Sequence, residues 1–563
     1  MSTIFIILSA SVVITLLVFF NSKKHRLQEN KKLVNQWNDK DYKRNEEPIK
    51  SVRMYWNSYE PTKNQVSIDD LTWNDLSMDT VFQKINLTHT SIGAEKLYCN
   101  LRSINLNENY FNEKEPFIRA LFETRALREE IELKLMALGK KSFTDTSSFL
   151  YQITDKFMKH TYLYILLSLL SITPLVLVFV NLKAAIITFF CLVMINSGIY
   201  FFKKREYQPN FYSLSYITSI INCGKHLVKI QHKEFGGRRD KIKLCLKKLK
   251  KISFWGSVLS SNNSSINLIV DYLRIFFLLD FIAYNRILRT IKNNQESYIS
   301  LWHEISDLDL AISITHFRNL YPDHCIPTFI EEMKLKGTDL YHPLIKHPVK
   351  NNIEIDKDIL ITGSNASGKS TFIKAVAINC ILAQTINTVL AKGFLIKPSH
   401  ILTSMAISDD VLGGDSYFIA EIKSLKRIID TIKQGMSCMT FIDEILKGTN
   451  TVERISASAS ILNWINYQKN NLCITASHDI ELTQITKDYY EHYHFSETIE
   501  NNSISFDYKL KKGPSYTRNG IKLLEQLHYP KEIINLASKL ANSFEADGNW
   551  MTFNHVNYPF YHN

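Results

Sequence analysis

Residues 363–371 have the sequence Gly363-Ser364-Asn365-Ala366-Ser367-Gly368-Lys369-Ser370-Thr371, which fits the pattern G-x-x-x-x-G-K-[ST]. A β-like run, Ile359-Leu360-Ile361, comes before it, and a helical apolar pattern begins after it at Phe372. In a strand–loop–helix of this kind the glycines allow backbone N–H groups to surround phosphates. We therefore predict that residues 363–371 bind ATP, with Lys369 reaching the β- and γ-phosphates and Ser370 binding Mg²⁺.

A second segment has the composition of the acidic strand that a P-loop ATPase requires. The apolar run 437–442 ends in two carboxylates, Asp443 and Glu444. We predict that Asp443 contributes to the Mg²⁺ shell and that Glu444 polarises the attacking water as general base. The next β-like run, 472–477, ends at His478, a predicted sensor of the γ-phosphate. A solvated acidic pair and a purely structural histidine are the alternatives.

Three apolar runs stand out from a chain whose mean hydropathy of -0.12 is that of a soluble protein. They are Ile4 to Phe20, Tyr162 to Val180 and Ala184 to Phe202. Each is about the length that crosses a bilayer, roughly 17–20 residues. We predict an N-terminal transmembrane anchor at 1–22 and a transmembrane hairpin at 162–202. The alternatives are a cleaved signal peptide for the first run and buried core helices for the other two.

The basic residues that flank these runs are distributed unevenly between the two sides of such a topology. Only Lys183 falls on one side, whereas the other side carries Lys23, Lys24, Arg26, Lys156, Lys159, Lys203, Lys204 and Arg205. Positive charge marks the cytoplasmic side of a membrane protein. We predict a multi-pass protein of the cell (inner) membrane, with residues 21–158 and everything from 203 onward in the cytoplasm.

The eight cysteines show no C-x-x-C pairing and lie mostly inside apolar runs. Scattered cysteines of this kind indicate reduced core residues in a cytosolic compartment. The cysteine pattern therefore predicts no structural zinc site.

The net charge of +12 is concentrated between Lys225 and Lys251. Within that stretch, residues 241–251 alternate basic and apolar side chains at helical spacing. A basic amphipathic helix of this kind can lie on an anionic lipid surface or contact nucleic-acid phosphates. It can equally be the solvated face of a core helix, so three interpretations stay open.

The two motifs together resemble those of the MutS-type mismatch-repair ATPases. Residues 363–371 match the P-loop of that family, G-P-N-M-G-G-K-S-T, at all but three positions. The family's D-E-I-G-R-G-T-S-T is similar to residues 443–451, where Leu446 and Lys447 replace Gly-Arg. Its A-T-H motif is similar to residues 476–478.

Other segments extend the resemblance over roughly residues 70–545. Residues 86–93 resemble the N-x-T-x-T-S-M-G start of the family's helical lever, and 341–344 resemble the R-H-P-V start of its ATPase domain. Residues 508–532 resemble its dimerising helix–turn–helix. The resemblance implies a homodimer with ATP at the interface. It also implies that Ser416, in a segment similar to the family's S-T-F, reaches the partner's ATP.

The resulting domain prediction is an α/β P-loop NTPase domain preceded by an all-α domain. We expect a linker at 23–69, a helical lever at 70–335 interrupted by the hairpin, the ATPase domain at 336–545 and a tail at 546–563. The family's mismatch reader is an N-terminal domain with an F-x-E wedge, for which this sequence has no counterpart. Mismatch recognition is therefore not expected.

Three functions fit these observations. The first is a membrane-anchored ATPase whose hydrolysis moves the levers in DNA repair or DNA handling. The second is a membrane-tethered protein that binds the DNA backbone without sequence preference, and the third is a nucleotide-gated scaffold with negligible turnover. An ABC-type ATPase is the competitor at the level of the fold, but the sequence lacks its L-S-G-G-Q signature.

Overall fold

The computed structural model describes residues 37, 47–59, 61, 65–259, 267–364, 367–405, 417–447, 449–500, 503–514 and 520–552. The chain divides into two compact units. The helical unit comprises residues 1–65, 79–103 and 109–322, and the α/β unit comprises residues 66–78, 104–108 and 323–563. The predicted anchor, most of the predicted linker and the end of the predicted tail lie outside the described residues.

The first part of the chain is almost entirely helical. Its helices, in chain order from α1 to α14, are Ile49–Asn57, Asp70–Asp75, Met78–Ile85, Ser91–Arg102, Glu115–Glu123, Arg125–Leu138, Ser148–Tyr151, Thr161–Leu170, Thr173–Leu177, Leu182–Leu227, Gly236–Leu259, Asn267–Phe276, Leu279–Asn293 and Gln295–Leu320. Two short strands, β1 (Gln65–Ser67) and β2 (Ser103–Asn105), pair with each other. Three 3₁₀ turns cover Glu108–Phe111, Ile153–Lys156 and Lys233–Phe235.

Helix α14 forms the centre of the helical unit. Every residue from 308 to 318 is buried, as expected for a helix that is surrounded on all faces. The Asp309 carboxylate in this stretch accepts hydrogen bonds from the backbone N–H groups of His89 (2.9 Å) and Thr90 (2.8 Å). A Cβ at Gly93 would lie 2.1 Å from Asp309 Oδ2, so only glycine allows the first turn of α4 to approach α14 this closely.

The predicted hairpin corresponds to two apolar helical segments. By length and composition, two stretches of the described residues could cross a membrane, Ile153–Leu177 and Leu182–Leu227. Within their most apolar windows only 17% and 22% of the residues are buried. The sequence predicted that the second span ends near Phe202, whereas α10 continues without interruption for 46 residues and contains Pro209. A proline inside a helix removes one backbone hydrogen bond. Helix α10 nevertheless continues on both sides of Pro209.

The α/β unit is built on a six-stranded sheet in the order β14-β11-β6-β10-β9-β8. Its central strands are parallel, buried and apolar, as is usual for a sheet covered on both faces. A four-stranded sheet has the order β3-β7-β4-β5, and β12 pairs with β13. The strands from β3 to β14 are Thr328–Phe329, Leu335–Leu340, Asn351–Ile355, Ile359–Thr362, Gly393–Ile396, His400–Ser404, Cys438–Asp443, Asn471–Ala476, Glu491–His494, Glu497–Glu500, Ser503–Phe506 and Lys511–Lys512.

Helices flank this sheet and end the described chain. From α15 to α20 they are Lys369–Ile386, Tyr417–Ile432, Thr451–Asn466, Glu481–Ile485, Gly520–Gln526 and Lys531–Asp547. A buried core cluster lies between α16, α17 and strands β8, β9 and β10, and it includes Leu425, Ile428, Leu446 and Leu462. The first strand of this alternating region of strands and helices is β3, Thr328–Phe329.

Candidate functional site

Three neighbouring parallel strands end at the same edge of the six-stranded sheet. In β6, β10 and β9 the residues Ile361, Ala476 and Asp443 are aligned in register. Because parallel strands point the same way, the residues that follow them gather at one edge. This register brings the P-loop, the acidic pair and His478 together, although they are separated by about a hundred residues of sequence.

Two glycines of the P-loop adopt backbone conformations that favour glycine. Gly363 has φ +140° and Gly368 has φ +102°. A Cβ at Gly363 would lie 2.7 Å from the carbonyl oxygen of Phe495, and a Cβ at Gly368 would lie 3.0 Å from the ring of Tyr508. The backbone angle and the lack of space for a Cβ therefore both favour glycine at these two positions.

The Lys369 side chain is buried and folded back onto the loop. Its Nζ donates hydrogen bonds to the carbonyl oxygens of Gly363 (2.6 Å) and Ser364 (2.8 Å). Burial lowers the pKa of Lys369 to about 8, and the nearby carboxylates of Glu444 and Asp443 oppose that change. The ammonium group thus occupies the inside of the phosphate-binding loop and is available to exchange carbonyl partners for phosphate oxygens.

Glu444 is held between two basic side chains. Its carboxylate forms ion pairs with His478 Nε2 and with Lys447 Nζ, and the other ring nitrogen of His478 lies 3.0 Å from the carbonyl oxygen of Gly363. Burial raises the pKa of Glu444, but the hydrogen bonds from His478 and Lys447 outweigh burial and lower this pKa to about 2. Glu444 is consequently ionised at any physiological pH.

The Asp443 carboxylate fits the donor set that Mg²⁺ prefers. Its Oδ1 is buried and has no hydrogen-bond partner among the described residues. A buried carboxylate oxygen without a partner is costly unless a cation or a donor satisfies it. Ser370 lies exposed in the first turn of α15, at the same edge of the sheet. Asp443 and Ser370 are therefore suitable oxygen ligands for a hard cation.

The acidic turn contains strained backbone. Glu444 and Leu446 have φ +60° and +58°, in the left-handed region that non-glycine residues rarely adopt. Leu446 is only 4% exposed and belongs to the core cluster beside β9. The backbone N–H of Lys447 donates to Glu421 Oε1 at 3.0 Å, which fixes the end of the turn. The turn thereby aims the Glu444 carboxylate at His478.

A cavity of about 330 Å³ adjoins the P-loop, and sequence reasoning missed it. Its wall includes Tyr341, His342 and Tyr508, and it touches the P-loop at Gly368. The Asn351 amide holds Tyr508 in place by donating to its carbonyl oxygen at 2.9 Å. Flat aromatic walls beside a phosphate-binding loop suit a nucleobase. The signal in the sequence is the aromatic Tyr341-His342 pair, within the segment 341–344 that resembles the start of the family's ATPase domain.

The described members of the predicted site gather at this edge of the sheet. They are Gly363, Ser364, Ser367, Gly368, Lys369, Ser370, Thr371, Asp443, Glu444 and His478. Asn365, Ala366 and Ser416 lie outside the described residues. The individual roles of these side chains stay predictions.

A phosphate-binding loop that opens a helix on a parallel sheet, next to an acidic strand, defines an α/β domain of the P-loop ATPase class. The comparisons with known proteins agree. The family model described as MutS domain V matches residues 359–545.

Part of the chain is also similar to curated MutS proteins. The DNA mismatch repair protein MutS of Listeria monocytogenes serotype 4a is 27% identical over 293 residues, which are 50% of this chain and 34% of that protein. The MutS of Staphylococcus saprophyticus is 27% identical over 271 residues (45% and 30%), and that of Lysinibacillus sphaericus is 30% identical over 255 residues (43% and 29%). Residues 359–545 are therefore similar to a MutS domain, and the chain spans about a third of the length of these MutS relatives.

Proposed function

We propose that the chain is a membrane-anchored ATPase of the MutS type, which binds and hydrolyses ATP between two copies of itself and thereby moves its helical part. The observation that carries this proposal is the meeting of Lys369, Glu444 and His478 at one edge of the parallel sheet. Lys369 Nζ lies 3.4 Å from His478 Nδ1, and the other ring nitrogen of His478 contacts Glu444. A phosphate-binding lysine beside a carboxylate that can position water suits phosphoryl transfer to water, and the histidine adds a second group that can contact phosphate.

Each of these residues has a role in the proposed reaction. The backbone of the P-loop and Lys369 bind the phosphates, and Ser370 and Asp443 hold Mg²⁺. The ion neutralises charge on the phosphate oxygens when it is bound. Glu444 orients and polarises the attacking water, and His478 contacts the γ-phosphate. The aromatic cavity beside Gly368 accepts the base.

The contacts of Glu444 support a resting state in the absence of nucleotide. A carboxylate with a pKa of about 2 is a weak base, since its proton affinity is far below that needed near neutral pH. Phosphate binding would draw Lys369 and His478 towards the nucleotide. Glu444 would then lose one hydrogen bond and regain basicity.

The dimer and the division into domains belong to the same proposal. The ATPase domain covers residues 336–545, and the helical lever covers residues 70–335. The dimerising helix–turn–helix is assigned to the two C-terminal helices, α19 and α20. Ser416 of each copy would reach the ATP of the other.

The membrane part of the proposal rests on the surface of the helical unit. Large apolar side chains are exposed along 162–202, among them Phe179 (90%), Val180 (82%), Met194 (81%) and Phe202 (72%). Insertion into a bilayer would remove this apolar surface from water, whereas the same side chains would stay exposed in an aqueous environment. We propose that 162–202 is a transmembrane hairpin, that 1–22 is a further anchor, and that residues 21–158 and everything from 203 onward lie in the cytoplasm.

The ATPase assignment is tested by the variants Lys369→Ala and Glu444→Gln. We expect Lys369→Ala to lose nucleotide binding, and Glu444→Gln to bind ATP without turnover. Lys469→Ala, an exposed lysine of the α/β unit, serves as the matched control and should keep both activities. Full turnover in Glu444→Gln would contradict the assignment, and absent turnover in the wild type would favour the nucleotide-gated scaffold.

The membrane assignment is tested separately. Full-length protein should stay in the membrane fraction after alkaline extraction, whereas recovery in the soluble fraction would contradict it. The ATPase rate should then be compared in detergent, in liposomes and with duplex, branched and single-stranded DNA. Stimulation by liposomes alone would support the membrane-driven ATPase.

A second candidate function, DNA binding at the membrane, is favoured by one observation. A cavity of about 550 Å³ between α11 and α13 is lined by Lys248, Lys251, Arg286 and Arg289, with Trp255 at its wall. Neither the segment 241–259 nor the segment 281–294 contains an acidic residue. This surface could bind nucleic-acid phosphates, with an affinity that falls steeply with salt.

The double variant Arg286→Glu/Arg289→Glu tests this candidate. Lys247→Glu/Lys243→Glu is the matched control, because it makes the same charge change on the exposed face of α11 outside the cavity. Loss of salt-sensitive DNA retention in the cavity variant alone would support DNA binding there. Equal retention in both variants and the wild type, or none in any, would exclude it.

A further inference from the structure

Two histidines and a glutamate from distant parts of the chain meet inside the helical unit, in the group His89, Glu132 and His316. One ligand atom from each lies within 4.8 Å of the others. His89 precedes the N-cap of α4, Glu132 lies on α6, and His316 lies near the end of α14. The group therefore joins three segments that are separate in sequence.

We propose that His89, Glu132 and His316 form a binding site for a divalent transition-metal ion of the zinc type. Two imidazoles and one carboxylate are a ligand set that suits Zn²⁺. Ligand atoms around a tetrahedral Zn²⁺ ion lie roughly 3.3 Å apart, as follows from Zn–N and Zn–O distances of about 2.0–2.1 Å. The observed spacing reaches that geometry with small side-chain movements.

The group lies mostly in the interior of the helical unit. Glu132 and His316 are each only 1% exposed, and His89 is partly exposed. A buried carboxylate needs a compensating positive charge, which the histidines supply when they are protonated and a metal ion supplies when they are neutral. His316 Nε2 and a Glu132 oxygen are in hydrogen-bond contact, and a metal ion would take the place of the proton between them.

Neighbouring side chains orient these ligands from outside. The Trp37 ring packs edge-on against His316, with 4.9 Å between the ring centroids. Arg128, one helical turn before Glu132, lies over the Trp37 ring and donates to the carbonyl oxygen of Leu121 at 3.1 Å. The backbone of His89 is held by the buried Asp309 carboxylate. These contacts restrict the movement of the His316 ring and of the His89 backbone.

A metal ion in this group would fasten the loop before α4 to α6 and α14. The site contains no cysteine and is separate from the predicted Mg²⁺ ligands, Ser370 and Asp443, which belong to the other unit. The proposal is independent of ATP hydrolysis and of membrane anchoring. We expect the ion to stabilise the fold of the helical unit, because a ligand that binds only the native state shifts unfolding.

The test uses full-length protein in detergent, stripped with a chelator and then titrated with Zn²⁺ or Co²⁺. We expect about one equivalent of tightly bound metal per chain, a higher melting temperature with Zn²⁺, and visible Co²⁺ absorption bands typical of tetrahedral coordination. His89→Gln should weaken this binding by more than about tenfold and remove the melting shift. His89 is chosen because it is the most exposed ligand, so that its replacement perturbs the core least.

His226→Gln is the matched control, since His226 is an exposed histidine of the same unit outside the group. It should keep the binding and the melting shift. Glu132→Gln gives a second check, with circular dichroism confirming that each variant is folded. If stripped wild-type protein binds no stoichiometric metal, or if folded His89→Gln binds it as the wild type does, the group is a hydrogen-bonded histidine–glutamate pair only and the proposal is wrong.

Discussion

The P-loop and the acidic turn lie at the same edge of the six-stranded sheet, and both contain left-handed backbone. In the P-loop that backbone belongs to glycines, Gly363 and Gly368. In the acidic turn it belongs to Glu444 and Leu446, the second of which replaces a glycine of the family motif that this turn resembles. The two turns therefore meet the same conformational demand with different residues.

The space around each residue explains the difference. At Gly363 any side chain would collide with a backbone oxygen 2.7 Å away, which cannot move cheaply. Leu446 instead packs its side chain into the core cluster beside β9. Burying a leucine side chain is worth about 2–5 kcal/mol, whereas left-handed backbone costs a non-glycine residue about 1–2 kcal/mol. Burial outweighs strain at Leu446, and no such gain is available at Gly363.

The largest expected effect comes from adding a Cβ to the P-loop. Gly363→Ala should abolish nucleotide binding and destabilise the α/β unit by about 1–3 kcal/mol, because it combines strained backbone with a collision. Gly368→Ala should weaken binding less, since it meets the movable ring of Tyr508. Fluorescent-nucleotide titration and thermal unfolding measure both effects.

Gly393→Ala is the control for this pair, because the nearest atom to its Cβ would be 4.0 Å away. It should leave binding unchanged and stability within about 0.5 kcal/mol. Normal nucleotide affinity in Gly363→Ala would show that the space argument is wrong.

The next effect concerns Leu446. Leu446→Ala should cost about 2–5 kcal/mol through the lost side chain. Leu446→Gly should be more stable than Leu446→Ala by about 1 kcal/mol, because glycine relieves the left-handed backbone. Leu425, buried in the same cluster but inside helix α16, should show the reverse order, with glycine about 1 kcal/mol less stable than alanine.

Chemical denaturation of the four variants measures these differences. If Leu446→Gly proves less stable than Leu446→Ala, strain does not explain this turn.

A smaller effect is expected from pH. The pKa of Lys369 is about 8 in the nucleotide-free protein, and phosphate would raise it by favouring the charged form. Above pH 8 the neutral lysine must take up a proton when ATP binds, so affinity should fall by up to about tenfold per pH unit. Below pH 8 the lysine is already charged and this dependence should vanish.

Calorimetric titrations between pH 7 and 9.5, in buffers of different ionisation enthalpy, measure both the affinity and the proton uptake. A flat affinity over this range would contradict the assigned pKa shift.

The smallest effect is expected at Lys447, the partly exposed partner of Glu444. Lys447→Met should change the unfolding free energy by less than about 1 kcal/mol, since exposed ion pairs contribute little. It should nonetheless raise the pKa of Glu444 and increase basal turnover a few-fold, because the carboxylate becomes a better base. Lys469→Met is the control, and unchanged or slower turnover in Lys447→Met alone would argue against the resting-state contact.

Sequence patterns predicted the parts of the site that are continuous in the chain. The P-loop, the acidic strand and His478 each lie within a few residues of a strand end, so local patterns located them. Sequence patterns did not predict the aromatic cavity, because its lining residues Tyr341, Gly368 and Tyr508 come from three separate segments. The apolar run that ends at Phe202 did not predict the length of α10, because the polar residues that follow continue the same helix to Leu227.

By itself, the sequence determined the class of the C-terminal domain, its phosphate-binding loop and its acidic pair, because these depend on short segments with local backbone rules. Only the tertiary structure decided what those segments touch. The register of β6, β9 and β10 brings Glu444 to His478, and the packing of α14 brings His316 to Glu132 and His89. Contacts between distant segments follow from how strands align and helices pack, and a linear pattern does not encode those distances.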